Sequence, residues 1–201
     1  VVVPATIDKD MPLVGSTIGF DTAINTALTA IDKIRDTATT ANVTHIVEVM
    51  GRNCGWLGIL AGIGAGAEVT IIPEVKINIP KLSQKIKDQL NRGKKGCIII
   101  LAEGGFSKGG ASLASALKEE GSFDLRITTL GHMQRGGNPS AVDRVLATEL
   151  GVHAVLSLKD GFSNVIIAKP LATLEKIEFD KVLKTQVKVD MYLHDIIENT
   201  A

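Results

Sequence analysis

The run Gly96–Ala102, GCIIILA, carries no charged side chain and no hydroxyl at any position. A strand with one wet face alternates polar and apolar residues, so an unbroken apolar run of this length reads as a strand covered on both sides. Other strand-like runs stand at Val1–Val3, His45–Met50, Val69–Ile72, Leu125–Leu130 and Asn164–Ala168. Segments with helical periodicity lie between them. Phe20, Ile24, Ala27, Leu28, Ile31 and Ile34 recur at helical spacing, as do Leu82, Ile86 and Leu90 among lysines that suit a solvent face. Asn138–Pro139 followed by Ser-Ala-Val-Asp predicts a helix with Pro in its first turn, and Val189–Asn199 predicts a final helix. Strands alternating with helices predict an α/β fold with a largely parallel sheet.

Charge narrows the function. The 201 residues hold 22 basic and 22 acidic side chains, a formal net charge of zero. No global field favours nucleic acid, so any anion must be held by a few placed cations. The length suits one large domain or two small lobes. Cys54 and Cys97 show neither CxxC nor metal-ligand spacing and read as core thiols of a reducing cytosol. No apolar stretch reaches the length of a membrane span, and no signal-peptide pattern is visible, so a cytoplasmic chain is expected.

In open α/β sheets, ligands bind where strands end and helices begin. Four polar motifs fall at such points. In TIDKD, Thr6 to Asp10, a carboxylate can take a proton from a hydroxyl, although an Asx-type turn would use the same residues. In MGR, Gly51 permits close backbone approach and Arg52 offers a planar fork for phosphate; a strand-to-helix turn with a surface arginine fits equally. In AEGG, Glu103 can accept sugar hydroxyls or merely open a helix. In GHMQRGG, His132 and Arg135 can bind a phosphate monoester, with Arg126 upstream in the same run, although a lone strand-end histidine is more often hydrogen-bonded core. Taken together they supply a base, guanidinium groups and a hydroxyl acceptor. That set suits phosphoryl transfer involving a phosphorylated sugar.

In chain order, PATIDKD, TIGFDTAINTA, AIDKIRDTA, VEVMGRNCGWL, ILAEGG and LGHMQRGGNPSAVDRVLA resemble the motif series of the phosphofructokinase family, from Val1 to about Ala168. The resemblance implies a two-lobed fold with largely parallel sheets sandwiched by helices. It implies phosphoryl transfer from ATP with Mg²⁺, or from pyrophosphate in one branch, to the 1-hydroxyl of fructose 6-phosphate in glycolysis. Asp8 resembles the catalytic base, with Thr6 and Asp10 as its neighbours and Arg52 near the transferred phosphate. Met50, Gly51 and Glu103 match sugar contacts. His132 and Arg135 resemble ligands of the 6-phosphate, and Arg126 is similar to an arginine lent to a neighbouring subunit, which implies an oligomer, usually a tetramer. Arg35, Glu68, Arg92, Lys94 and Lys95 match a nucleotide effector site. By the residues alone, Arg92 to Lys95 reads rather as a solvated face.

The likeness also divides the chain. Residues 1–19 and 134–185 resemble the remnant of a nucleotide-binding lobe, and residues 20–133 and 186–201 a sugar-phosphate-binding lobe. The N-terminal segment that carries most of the ATP and Mg²⁺ contacts is expected to precede Val1, and the 201-residue chain alone is expected to be inactive. Three positions depart from the family pattern. Lys9 stands between the aspartates, where it can pair with one of them or point to solvent. Val43 stands where an intersubunit arginine is usual, and Gly96 replaces an effector-site histidine. A pyrophosphate-dependent homologue is one alternative. A silent regulatory subunit that binds sugar phosphate or a nucleotide is the other, and Lys9 and Val43 favour it.

Overall fold

The computed structural model of the protein describes residues 1–200. The first half alternates helix and strand: α1 (Phe20–Ala41), β1 (Thr44–Val49), α2 (Trp56–Ala65), β2 (Val69–Ile71), α3 (Ile79–Asn91), β3 (Cys97–Ala102), α4 (Gly109–Glu120) and β4 (Leu125–Thr129). The strands form one four-stranded sheet in the order β2-β3-β1-β4, and every neighbouring pair is parallel. The CIIILA run is β3, and all of its residues are buried.

Successive β3 side chains point to opposite faces and so join two cores. Ile98 and Ile100 pack with Ile31 of α1 and Leu57 and Ile59 of α2. Ile99 and Leu101 pack with Leu82 and Ile86 of α3 and Leu113 and Leu117 of α4. The doubly covered strand and the parallel sheet expected from the sequence are both present. Among the described residues no helix is long and apolar enough to cross a membrane.

The second half begins with a 3₁₀ turn, Gly131–Arg135. It continues through α5 (Ala141–Lys159), β5 (Val165–Ala168), β6 (Glu175–Glu178), α6 (Phe179–Leu183) and α7 (Met191–Thr200). Strands β5 and β6 pair antiparallel, and single parallel bridges attach Val2 to Ile166 and Gly15 to Lys169. Val14, Ile166, Ala168, Ile177 and Val182 form the core of this part.

Two local expectations change, and one strand is added. Val1–Val3 is a single bridge rather than a full strand, held by Val2 N–H on Val165 O at 2.8 Å and Ile167 N–H on Val2 O at 3.0 Å. Strand β6, the antiparallel partner of β5, adds to what the sequence pattern announced, because only Ile177 of its four residues is buried. Pro139 lies outside α5, because Ser140 is the N-cap and its hydroxyl accepts from Asp143 N–H at 3.2 Å.

The Asp143 carboxylate reaches across to another helix. Its Oδ1 accepts from Gly19 N–H, and its Oδ2 accepts from Thr22 N–H, both at 2.8 Å. The Thr22 hydroxyl also donates to Oδ2. Donors at the start of α1, which have no partner inside their own helix, are thus satisfied by α5.

Candidate active site

Parallel strands deliver their following loops to one edge of the sheet. Strand β1 leads into Met50–Gly55, β3 into Glu103–Gly105, and β4 into the 3₁₀ turn. The Thr6–Asp10 loop arrives from the Val2 bridge. The Thr6–Asp10 loop, Arg52 and Arg135 line a cleft of about 460 Å³ whose polar lining is Thr6, Asp8, Asp10, Arg52 and Arg135, whereas Met50, Gly51 and Glu103 lie outside that lining. Five residues singled out in the sequence therefore meet at one place.

Asp8 is 4% exposed. Its Oδ2 lies 3.3 Å from Arg52 Nε, and its Oδ1 is buried with no hydrogen-bond partner among the described residues. Burial pushes the Asp8 carboxyl above its ordinary value, Asp10 pushes the same way, and Arg52 and Arg135 oppose them. Asp8 N–H donates to Thr6 Oγ1 at 3.2 Å, and the Thr6 hydroxyl donates to Asp10 Oδ1 at 3.3 Å. The Asx-type turn is absent: the Asp8 backbone N–H is taken by the Thr6 hydroxyl, Asp10 accepts from that hydroxyl, and the Asp8 side chain takes no part in this bonding.

The MGR segment is braced from two sides. Met50 N–H donates to Gln134 Oε1 at 2.8 Å, and Arg52 N–H donates to Glu103 Oε2 at 3.0 Å. Gly51 has φ 146, and a Cβ there would stand 2.6 Å from Cys54 O, so the turn requires glycine. Glu103 thus reaches the site through a backbone bond, with its second oxygen left over. His132 is exposed and is not part of the cleft lining. Arg126 sits toward the start of β4, away from the strand ends, and its Nε lies 3.6 Å from Asp124 Oδ1.

Lys9 pairs with neither aspartate and does not point to solvent. Its ammonium lies 4.2 Å from the Trp56 ring centroid and 5.0 Å from that of Phe20. Burial lowers its pKa. Asp8 is therefore not neutralised from within its own loop.

Val43 is a core residue, 5% exposed, and not a surface position open to a long cation. Nearby, His45 Nε2 lies 2.8 Å from Thr128 Oγ1, and burial and Arg126 push its imidazole below the ordinary value.

A second polar cluster lies at the opposite ends of the strands. Glu68 is buried; its Oε1 lies 3.5 Å from Arg35 Nη1 and 3.3 Å from Lys94 Nζ, and its Oε2 accepts from Ile98 N–H at 2.7 Å. Arg35 Nη2 donates to the carbonyls of Ala65 and Gly66, each at 2.9 Å. Arg92 and Lys95 are exposed and make no ion pair among the described residues. Gly96 has φ 94, and a Cβ would stand 2.9 Å from both Ala38 O and Val43 O. A histidine cannot be placed there on this backbone.

Gln134 and Asp143 were not singled out in the sequence. Gln134 is 1% exposed inside an otherwise more exposed turn, and nothing in the sequence His132-Met133-Gln134-Arg135 marks that burial. Asp143 carried a stronger one, the spacing Ser140-x-x-Asp143, which resembles a capping box but caps a different helix.

Against known proteins, residues 1–158 match the family model described as Phosphofructokinase. The chain is 46% identical to the ATP-dependent 6-phosphofructokinase of Clostridium novyi (strain NT) over 194 residues, covering 96% of this chain and 60% of that protein. It is 52% identical to the ATP-dependent 6-phosphofructokinase of Streptococcus equi subsp. zooepidemicus over 161 residues, covering 79% of this chain and 47% of that protein. Among solved structures, the phosphofructokinase of Saccharomyces cerevisiae superposes with TM-score 0.80 at 31% identity, covering 98% of this chain and 27% of that one. The chain thus spans 60% of the length of its Clostridium novyi relative.

Proposed function

The chain belongs to the phosphofructokinase family, and from that premise we propose that it supplies the sugar-phosphate site and the proton-accepting carboxylate of a 6-phosphofructokinase. The reaction is transfer of a phosphoryl group from ATP to the 1-hydroxyl of fructose 6-phosphate, a step of glycolysis. One observation carries the reading: Asp8 Oδ1 is buried, has no donor among the described residues, and belongs to a residue lining a cleft that also holds Arg52 and Arg135. An unpartnered buried carboxylate oxygen is costly unless a ligand supplies the missing donor. A sugar hydroxyl is such a donor.

In the proposed step the 1-hydroxyl donates to Asp8 Oδ1. As its oxygen bonds to the transferred phosphorus and the bond to the leaving group breaks, Asp8 takes the proton. Arg52 balances charge on the transferred group. Arg135 and His132 hold the 6-phosphate, and Arg126 reaches the 6-phosphate of a neighbouring subunit in a tetramer with shared sites. Glu103, already anchored through one oxygen, accepts a sugar hydroxyl with the other, beside Met50 and Gly51. Thr6 and Asp10 keep Asp8 out of its own turn.

ATP as donor is supported by the names of the curated relatives. Among the described residues no cluster of three or more metal-ligating side chains exists. Asp8 and Asp10 are too few for a cage, although Mg²⁺ commonly needs only one or two carboxylates beside substrate phosphates. Residues 1–19 and 134–185 are assigned to the nucleotide lobe, and 20–133 and 186–201 to the sugar lobe, of a cytoplasmic enzyme. Arg35, Glu68, Arg92, Lys94 and Lys95 are assigned to an effector site between subunits.

Asp8→Ser in the protein that carries this chain tests the reading. Turnover with ATP, Mg²⁺ and fructose 6-phosphate is expected to fall by roughly 10²–10⁴-fold with KM nearly unchanged, because a general base acts in the transition state. Turnover that survives the substitution would reject Asp8 as the base.

A further inference from the structure

We propose that Lys9 is a positioning residue, whose ammonium, seated on the Trp56 and Phe20 rings, straps the Thr6–Asp10 loop to the first residues of α1 and α2 and so fixes Asp8 in the cleft. The inference rests on Asp8 being the base.

The loop sends alternate side chains to opposite sides. Asp8 and Asp10 line the cleft, whereas Lys9 and Met11 line a separate cavity of about 470 Å³ together with Trp56 and Lys188, and the two linings share no residue. Lys9 therefore acts from behind the loop. Its φ is 52, a left-handed conformation that a lysine adopts only where its surroundings hold it.

The holding groups are the two rings. Both centroids, at 4.2 and 5.0 Å, are within cation–π range. Phe20 is the first residue of α1 and Trp56 the first of α2. Lys9 makes no ion pair with any described carboxylate, so ring faces rather than a counter-ion stabilise this half-buried ammonium. Its carbonyl also accepts from Cys54 Sγ at 3.8 Å.

Cys54 and Trp56 stand two and four residues after Arg52, whose Nε contacts Asp8 at 3.3 Å. Lys9 thus joins the two segments whose separation sets the Asp8–Arg52 geometry. Releasing the strap lets them drift, and a displacement near 1 Å at a reacting group costs on the order of 100-fold in rate.

Lys9→Met keeps the apolar stem and removes the charge, whereas Lys9→Arg keeps a cation that can stack on a ring. In the protein that carries this chain, Lys9→Met is expected to lower kcat by roughly 10- to 100-fold with KM for fructose 6-phosphate unchanged, and Lys9→Arg to restore most of it. Trp56 is the sole tryptophan of the 201-residue chain. In the protein that carries this chain, with any tryptophan outside these residues replaced by phenylalanine, acrylamide quenching of Trp56 fluorescence is expected to rise in Lys9→Met and to stay at the parent level in Lys9→Arg.

Lys9→Met with parental kcat overturns the proposal. So does a raised KM at constant kcat, which would place Lys9 on the substrate, and so does equal impairment by Met and Arg, which would leave its charge without a role. Unchanged quenching in Lys9→Met also sinks the strap, but leaves the base assignment standing. Survival of Asp8→Ser sinks the base assignment, while the quenching comparison still reads the strap. Should Lys9→Met fail to fold, Trp56→Leu removes the larger ring from the other side and must give the same fall in kcat at constant KM.

Discussion

At the scale of single residues, the central fact is a carboxyl that burial holds above its ordinary value. A base works only when ionised, so activity is expected to fade at a higher pH than an ordinary aspartate would allow. Asp10 contributes to the upward push, and Asp10→Asn is therefore expected to move the acid limb of kcat/KM to lower pH; a limb that stays or moves upward would contradict the assigned cause. The same shift has a stability consequence. The native Asp8 keeps its proton to higher pH than the unfolded chain does, so stability falls as pH rises through that window. Asp8→Asn should accordingly raise the thermal midpoint at neutral pH and leave it unchanged in acid below the ordinary carboxylate range. Differential scanning calorimetry at the two pH values reads this directly.

At the scale of elements, the strands and their end loops were legible because hydrophobic runs and motif order are local in sequence. β3 announced itself by being apolar throughout, and Arg52 and Arg135 follow β1 and β4 as strand-end placement predicts, while Thr6, Asp8 and Asp10 join them from a single bridge rather than a strand. What stayed hidden depends on partners far away in the chain. Whether Lys9 would face an aspartate, solvent or an aromatic ring was undecidable without knowing that α1 and α2 begin beside each other. Val43, which stands where the family pattern has an arginine, is core, because the turn before β1 folds inward against α1. The Gly96 turn before β3 shows the same dependence. With φ 94 and two carbonyls 2.9 Å from a would-be Cβ, Gly96→Ala is expected to cost about 1–3 kcal/mol, read as a lower urea midpoint at unchanged m-value. A neutral outcome would mean that the turn relaxes readily.

At the scale of the whole molecule, a four-stranded parallel sheet and a small antiparallel pair keep separate cores. The Asp143 carboxylate is a direct polar tie between α5 and the start of α1. Asp143→Ala strips three donors of their acceptor and should cost about 2–3 kcal/mol, with the loss visible as a lower denaturation midpoint. The tie has a further consequence in the language of isotopes. The opening amides of a helix normally swap deuterium with solvent almost freely, since nothing inside the helix covers them. Here the Gly19 and Thr22 amides are covered by a side chain from α5, so they exchange only when α5 lets go of α1. These two protons therefore keep time for the parting of the two helices.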